Sequence, residues 1–267
     1  MPLTELQTSP LAHWLTPDWP VPSCVRAVCT TRTGGVSKSP FDSMNVGLHV
    51  GDAPADAQHN RALLAQTIGV KPVFLNQVHG WQVSQLDALS APIEEVATAD
   101  ASITCSTGLA CTIMVADCLP VLFCSADGGM VGAAHAGWRG LLGFNGHGVL
   151  EAIVQEARAV RASSAPCLVW LGPCIGPSAF EVGEEVRQAF VSQSSAAQSA
   201  FSPMGEKKWL ADLALLARQR LQALGVDAMY GNDSSSDWCT VNNASRFFSH
   251  RRDRVSGRFA AAIWRTD

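Results

Sequence analysis

Hydrophobic residues occur along this chain in short uninterrupted runs that are bounded mostly by glycine, proline or aspartate. Runs of this kind are typical of strands buried on both faces, since a strand with one face in water alternates apolar and polar residues. The pattern predicts strands at 25–31, 73–78, 101–104, 111–115, 120–124, 130–134, 168–171, 226–230 and 259–264.

Four other segments predict helices, at 55–68, 149–160, 184–191 and 210–224. The first has Pro54 at its start and Gly69 at its end, and the last carries leucines at helical spacing before Gly225. Residues 192–202 are predicted to form a polar loop. The proline-rich residues 1–24 predict an irregular N-terminal arm, and 25–267 a single mixed α+β domain.

Composition narrows the classes of function. Hydrophobic residues make up 47% of the 267 residues and charged residues 16%, and the net charge is −4. Such a chain predicts a globular core without a basic face for nucleic acid. No apolar run is long enough to span a membrane, and the N-terminus lacks the features of a secretory signal. Nine cysteines without a CxxC pair favour a reducing, cytoplasmic location.

The common phosphate, protease and esterase motifs are missing from the sequence: GxGxxG, the P-loop, HExxH and GxSxG. The glycine-rich residues 140–148 predict a loop that packs closely against another part of the chain.

Three residues with metal-binding chemistry each follow a predicted apolar strand and are followed within two positions by glycine or proline. They are His79, Cys118 and His135. Two imidazoles and a thiolate suit Zn²⁺, and three protein ligands leave a fourth position for water or substrate. The alternative interpretation is a buried cysteine and two hydrogen-bonded core histidines. Spacing alone does not separate the two.

The chain also resembles a known family in a series of ordered motifs between about residues 25 and 265. These are TTRTGGVS at 30–37, MNVG at 44–47, GD at 51–52, NR at 60–61, QVHG at 77–80, ADCLP at 116–120, HAGWRG at 135–140, GPCIG at 172–176, CT at 239–240, FFSHRR at 247–252 and GR at 257–258. In them it resembles the YfiH-like family, also called peptidoglycan editing factors or multicopper polyphenol oxidases (laccases). Two positions depart from the family pattern: His250 replaces a usual tyrosine, and Cys174 interrupts the Gly-Pro stretch.

The resemblance implies a fold, a metal and a substrate class. The implied fold is a four-layer α/β/β/α arrangement with mixed sheets, related to the toxin-type cysteine deamidases. The implied metal site is zinc held by His79, Cys118 and His135. The implied reactions are phosphorolysis of adenosine, inosine, guanosine and methylthioadenosine, and deamination of adenosine. A true laccase is excluded because seven histidines without a His-x-His pair cannot build its copper centres, although Cu²⁺ remains an alternative occupant of one His₂Cys site.

Several residues are candidates for catalysis beside Cys118 and His135. Zinc lowers the pKa of a bound water to about 7, and deamination then needs a proton shuttle for the leaving ammonia. Asp117 is the first candidate for this shuttle and Glu181 the second. Asp117 is equally suited to orienting a metal ligand.

Phosphorolysis needs cations that hold phosphate beside the ribose C1′, and arginine suits this role. Arg61 and Arg139 are the first candidates. A second basic cluster is predicted to be a solvated hairpin, with phosphate contact as the other interpretation; it comprises Arg246, Arg251, Arg252, Arg254 and Arg258. Asn45 and Gln77 are candidates for hydrogen bonds to ribose or base, or to backbone alone.

Two other functions stay open. In the first, the protein is a metal-free hydrolase or amidase in which Cys118 is the nucleophile and His135 its base, with an amide of a peptidoglycan precursor as substrate. In the second, it is a non-catalytic nucleotide-binding protein. The expected partners of the enzyme are purine nucleosides and phosphate, and the sequence predicts no oligomeric state.

Overall fold

Two β-sheets lie face to face at the centre of the fold, and helices cover their outer faces. The computed structural model describes residues 13–86, 97–160 and 165–267. The strands are β1 Val25–Cys29, β2 Lys71–Val73, β3 Val83–Gln85, β4 Ala101–Thr104, β5 Leu109–Val115, β6 Leu119–Ser125, β7 Val131–Ala136, β8 Cys167–Leu171, β9 Glu181–Gly183, β10 Phe201–Gly205, β11 Lys208–Ala211, β12 Met229–Gly231 and β13 Phe259–Arg265. The helices are α1 Pro54–Ile68, α2 Trp138–Leu142, α3 Val149–Val160, α4 Glu184–Gln193, α5 Leu213–Ala223 and α6 His250–Asp253, with 3₁₀ turns at Ser195–Ala200 and Ser236–Trp238.

Both large sheets are mixed. The four-stranded sheet has the order β1-β13-β5-β2, and only its β5–β2 pair is parallel. The six-stranded sheet has the order β12-β8-β6-β7-β4-β3, with parallel pairs at its two edges. Strands β10, β11 and β9 form a small antiparallel sheet beside them.

Strand β6 shows why the apolar runs are continuous. Leu122 and Cys124 pack between the two sheets, whereas Val121 and Phe123 pack against the helices on the other face. Both faces of the strand are therefore buried, and no position is left for a polar residue. Helix α1 covers the outer face of the four-stranded sheet, and α3 and α5 cover that of the six-stranded sheet. The single-domain α/β/β/α fold is thus confirmed.

Five predictions about the elements need correction. The predicted strand 73–78 ends at Val73. The side-chain amide of Gln77 donates to the backbone C=O of Met114 and accepts from its N–H, each at 2.8 Å, so these groups are not free to pair with a longer β2. Helix α5 begins at Leu213 rather than at 210, since the preceding residues pair in β11 and Asp212 caps the helix by accepting from the N–H of Leu215.

The other three corrections concern the C-terminal third of the chain. The predicted loop 192–202 contains the 3₁₀ turn and the start of β10, and the predicted strand 226–230 is reduced to β12, which runs beside β8. The basic segment 246–258 is not a hairpin, because it contains α6 followed by an irregular stretch that leads into β13.

The first twelve residues of the predicted N-terminal arm lie outside the described residues. In the rest of it, Leu15 bridges to Cys29, and Trp14 and Trp19 are buried. The boundary at residue 24 stays a prediction. Among the described helices none is both long and apolar enough to cross a membrane.

Candidate metal centre

His79, Cys118 and His135 converge at one edge of the six-stranded sheet. One potential ligand atom from each lies within 4.8 Å of the other two, and Cys118 Sγ is 3.7 Å from His79 Nε2. Cys118 directly precedes β6 and His135 lies near the end of β7. Because β6 and β7 are antiparallel neighbours, with Pro120 opposite His135, the sheet itself brings the thiol and the imidazole together.

Asp100 holds both histidines, and the sequence analysis did not identify it. Its buried carboxylate accepts hydrogen bonds from the backbone N–H groups of Val78, His79 and Gly80 at 3.1, 2.9 and 2.7 Å. Asp100 Oδ1 also lies 2.8 Å from Nδ1 of His135. This bond occupies Nδ1 and leaves Nε2 of His135 for a metal, which is the usual carboxylate–histidine–metal arrangement. The available signal was an acidic residue directly before a strand buried on both faces.

The charges of this group stabilise one another. Burial opposes ionisation of Cys118, but the imidazoles of His135 and His79 outweigh it and lower the pKa of the thiol to about 6. Burial likewise opposes a charge on His135, yet Cys118 and Asp100 raise the pKa of its imidazole to about 9. Burial disfavours the carboxylate of Asp100, but its bonds to His135 and the backbone keep its pKa below the ordinary value. The thiolate needed for metal binding is thus available near neutral pH.

The donor set fits zinc. Two imidazole nitrogens and a thiolate provide three of the four positions of a tetrahedral site. Residue 137, directly before α2, is glycine, and a side chain there would lie against both His79 and Cys118. Among the described residues this is the one group of three histidine, cysteine or acidic side chains close enough to share an ion. The described part of the chain therefore offers no second copper centre of the kind a laccase needs.

Gly137→Ala is expected to weaken zinc binding at least about tenfold and to lower activity with it. The added Cβ would lie 2.8 Å from Cδ2 of His79 and 2.9 Å from Sγ of Cys118, so two ligands would have to move. A competition titration against a chelator measures the change. Gly129→Ala is the matched control, since its nearest neighbour is a carboxylate oxygen of Asp127 at 3.2 Å, which can rotate away. Unchanged zinc affinity in Gly137→Ala would contradict the geometry.

The glycine-rich segment also packs closely against its surroundings, as predicted. A Cβ on Gly140 would lie 2.7 Å from the carbonyl oxygen of Gly80, and one on Gly148 would lie 2.4 Å from that of Leu141. The segment is not wholly a loop, since its first residues belong to α2. Close packing at Gly140 places α2 directly against the chain that carries His79.

A cavity of about 360 Å³ opens over the three ligand atoms. This volume is within the range of small-molecule sites. Arginines form much of its lining: Arg139, Arg251, Arg254 and Arg258. Its apolar lining includes Met114, Trp138, Ile175 and Phe180, and His49 and His250 add two further imidazoles. The cavity thus combines a metal-binding group, a cationic wall and apolar surfaces.

The two arginines first suggested for phosphate differ in position. Arg139 lines the cavity and lies over the ring of Trp138, 4.4 Å from its centroid. Arg61 is not part of the lining. Its Nε donates to the carbonyl of Val46 at 2.7 Å, its guanidinium lies 3.9 Å from the centroid of the Phe74 ring, and burial lowers its pKa to about 10.

Asn45 and Gln77 both use their side chains on the protein itself. The fully buried Asn45 bonds to Gly47 and Asp52 and accepts from the backbone N–H of Arg258 at 2.9 Å, so it reaches the cavity only through that arginine. Gln77 lines the cavity, but its amide is paired with the backbone of Met114.

The two acidic candidates also differ in position relative to the cavity. Asp117 lines the cavity, and its carboxylate accepts from the hydroxyl of Thr240 and the N–H of Arg251, not from a histidine. The orientation of His135 is provided by Asp100 instead. Glu181 lies outside the lining and pairs with Lys208 at 2.8 Å.

Comparison with known proteins agrees with this fold. The model of a family described as "Multi-copper polyphenol oxidoreductase laccase" matches residues 26–266. A Pseudomonas aeruginosa protein named purine nucleoside phosphorylase is 49% identical over 255 residues, which cover 95% of this chain and 99% of the relative. Escherichia coli YfiH, named as a purine nucleoside phosphorylase too, is 46% identical over 256 residues, with coverage of 95% and 99%.

A solved crystal structure has the same fold. The crystal structure of a Neisseria meningitidis protein superimposes with a TM-score of 0.85 at 41% identity, and the match covers 96% of this chain and 100% of that one. With a family match across almost its whole length and two relatives nearly half identical to it, the chain belongs to the YfiH-like family, whose model bears the laccase description.

Proposed function

We propose that the protein is a zinc-dependent purine nucleoside phosphorylase. The observation that carries this proposal is the convergence of His79, Cys118 and His135 at a cavity that is also lined by four arginines. A site that must bind phosphate and an uncharged nucleoside needs both cationic and apolar surfaces, and this cavity has both. The names of the Pseudomonas and Escherichia relatives support the same reaction.

The cationic wall is suited to phosphate as the attacking group. The guanidinium groups of Arg139 and Arg254 make no hydrogen bond or ion pair with any described residue, so their donors are available to a ligand. Arg258 donates through Nη1 to the carbonyls of Ser256 and Gly257 at 2.8 and 3.0 Å, which keeps its side chain in a defined position. In phosphorolysis a phosphate oxygen bonds to C1′ while the C1′–N9 bond breaks, and the purine leaves with that electron pair.

The apolar lining suits a purine base, with Trp138 and Phe180 as planar surfaces. The substrates we propose, by resemblance to the family, are adenosine, inosine, guanosine and methylthioadenosine. Deamination of adenosine to inosine is proposed as a second reaction of the same cavity. When bound, zinc would polarise a water molecule and lower its pKa toward neutrality. Cu²⁺ is an alternative occupant, because it binds nitrogen and sulfur donors more tightly than Zn²⁺.

The proposal predicts that release of adenine or hypoxanthine requires both phosphate and the metal. Zinc-loaded protein incubated with adenosine or inosine is expected to yield ribose 1-phosphate and free base only when phosphate is present. Removing zinc with a chelator is expected to abolish turnover, and adding zinc back to restore it. Chromatographic separation of nucleosides and bases measures both effects. Release of free base that is independent of phosphate would rule out a phosphorylase.

A second candidate function has its own support in the structure. Cys118, His135 and Asp100 also have the order of a nucleophile, a base and a group that orients the base. A metal-free amidase acting on a peptidoglycan precursor would use these three residues alone. What favours the metal site is His79, which a cysteine hydrolase does not need and which lies 3.7 Å from the sulfur.

A further inference from the structure

Asp117 has an unusual backbone conformation, and both oxygens of its carboxylate accept hydrogen bonds. Its φ is +96°, a conformation that residues with a side chain seldom adopt, and such outliers concentrate where the surrounding structure imposes them. It is half-buried, lies next to Cys118 and lines the cavity. Its Oδ1 accepts from Thr240 Oγ1 and its Oδ2 from the N–H of Arg251, each at 2.6 Å.

Hydrogen bonds join Asp117 to three segments that are distant in the sequence: the loop after β8, Thr240 and α6. The carbonyl of Asp117 accepts from the N–H of Ile175 at 2.8 Å, in the loop that follows β8. The N–H of Thr240 donates to the carbonyl of Cys174 in that loop at 2.9 Å. Nη1 of Arg252 in turn donates to the carbonyl of Thr240 at 2.7 Å. The segment that holds α6 is therefore tied to the residue beside the candidate zinc ligand.

That segment contributes most of the cationic wall. His250, Arg251, Arg254 and Arg258 all line the cavity, and α6 has only four residues to define its own position. A helix so short is stabilised by its surroundings rather than by its own hydrogen bonds. The bond from the N–H of Arg251 to Asp117 is charge-assisted, so it is among the stronger contacts that hold the segment.

We propose that Asp117 is a positioning residue, which places the arginines of residues 250–258 over the metal-binding group and so sets the affinity for phosphate. This inference rests on the proposed phosphorylase function. In this role Asp117 touches neither the nucleoside nor the proton that moves during the reaction. It acts through Arg254 and Arg258, which line the cavity.

The test compares zinc-loaded Asp117→Asn with the wild-type holoenzyme. Asparagine tolerates positive φ, so the backbone is retained while a strong acceptor is replaced by an amide that donates on one side. The KM for phosphate is expected to rise about tenfold or more, while the KM for inosine and the zinc content stay within about twofold. The increase in Tm produced by inorganic phosphate without nucleoside is expected to shrink in parallel. Thr240→Val, which removes one donor to the carboxylate, is expected to act in the same direction but less.

Asp253→Asn is the matched control, because it removes a negative charge from the same segment without touching Asp117. Asp253 pairs with Arg252 and does not line the cavity, so the KM for phosphate is expected to change less than twofold. An unchanged KM for phosphate in Asp117→Asn, with a large fall in kcat, would overturn the positioning role and support proton transfer. A wild-type enzyme that neither binds nor requires phosphate would overturn the proposed function as well.

Discussion

Cys118→Ala is expected to remove bound zinc and nucleoside phosphorolysis together. Cys118 supplies the sulfur ligand of the candidate site, and the two imidazoles that remain are a poor zinc site. The loss is expected to exceed the 10–100-fold effect that is typical of outer-shell residues around a metal. Elemental analysis of the dialysed protein and a chromatographic assay of base release measure the two quantities. His79→Ala and His135→Ala are expected to behave in the same way.

Cys24→Ala is the matched control, since Cys24 is half-buried and lies outside the cavity lining. It is expected to retain zinc and activity. A folded, zinc-free Cys118→Ala protein with full phosphorolysis would end the metal-dependent proposal. Rapid alkylation of Cys118 by iodoacetamide in a wild-type protein that contains no zinc yet is active would favour the cysteine hydrolase instead.

Asp100→Asn is expected to lower both the stability of the fold and the affinity for zinc. The buried carboxylate accepts from three backbone N–H groups and pairs with His135, and the amide would present its own N–H groups to some of these donors. Breaking a buried ionic group of this kind costs about 3–5 kcal/mol. Zinc affinity is expected to fall about 10–100-fold because both histidines lose their orientation.

Two measurements separate these effects. Urea unfolding of the apoprotein gives the change in stability, and a chelator competition gives the change in zinc affinity of the protein that remains folded. Asp227→Asn, at an exposed position between α5 and β12, is the control and is expected to change the free energy of unfolding by less than about 0.5 kcal/mol. If Asp100→Asn bound zinc as tightly as the wild type, Asp100 would not orient the ligands.

The buried strands were predictable because their signal is local. A strand covered on both faces has to be apolar throughout, and β4 and the centres of β5, β6 and β7 were identified on that basis. The prediction failed at residues 73–78, where a side-chain amide from Gln77 replaces the backbone partner of Met114. Of the apolar residues there, Val73 and Leu75 are buried but Val78 is exposed, so an apolar run does not by itself require a buried strand.

The metal-binding group was predictable in part. The donor types of His79, Cys118 and His135 and their positions at strand ends indicated a site, because such ends meet at the edge of a sheet. Asp100 was missed because its role depends on the pairing of β4 beside β7, which puts it against His135 from 35 positions away in the chain. Arg258 lines the cavity whereas Arg61, a first candidate for phosphate, does not, and no local sequence pattern tells which arginine faces inward.

The sequence by itself determined the family, the doubly buried strands and the chemistry of the three donor residues. Each of these depends only on residue type and on the order of residues close together in the chain. Only the tertiary structure decided which acid orients the histidines, which arginines line the cavity and where Asp117 directs its carboxylate. These depend on hydrogen bonds between segments far apart in the chain, such as the bond from Arg251 to Asp117 across 134 positions. Contacts between segments so far apart are set by how the sheets pack, and they cannot be predicted from the residues next to each of them in the sequence.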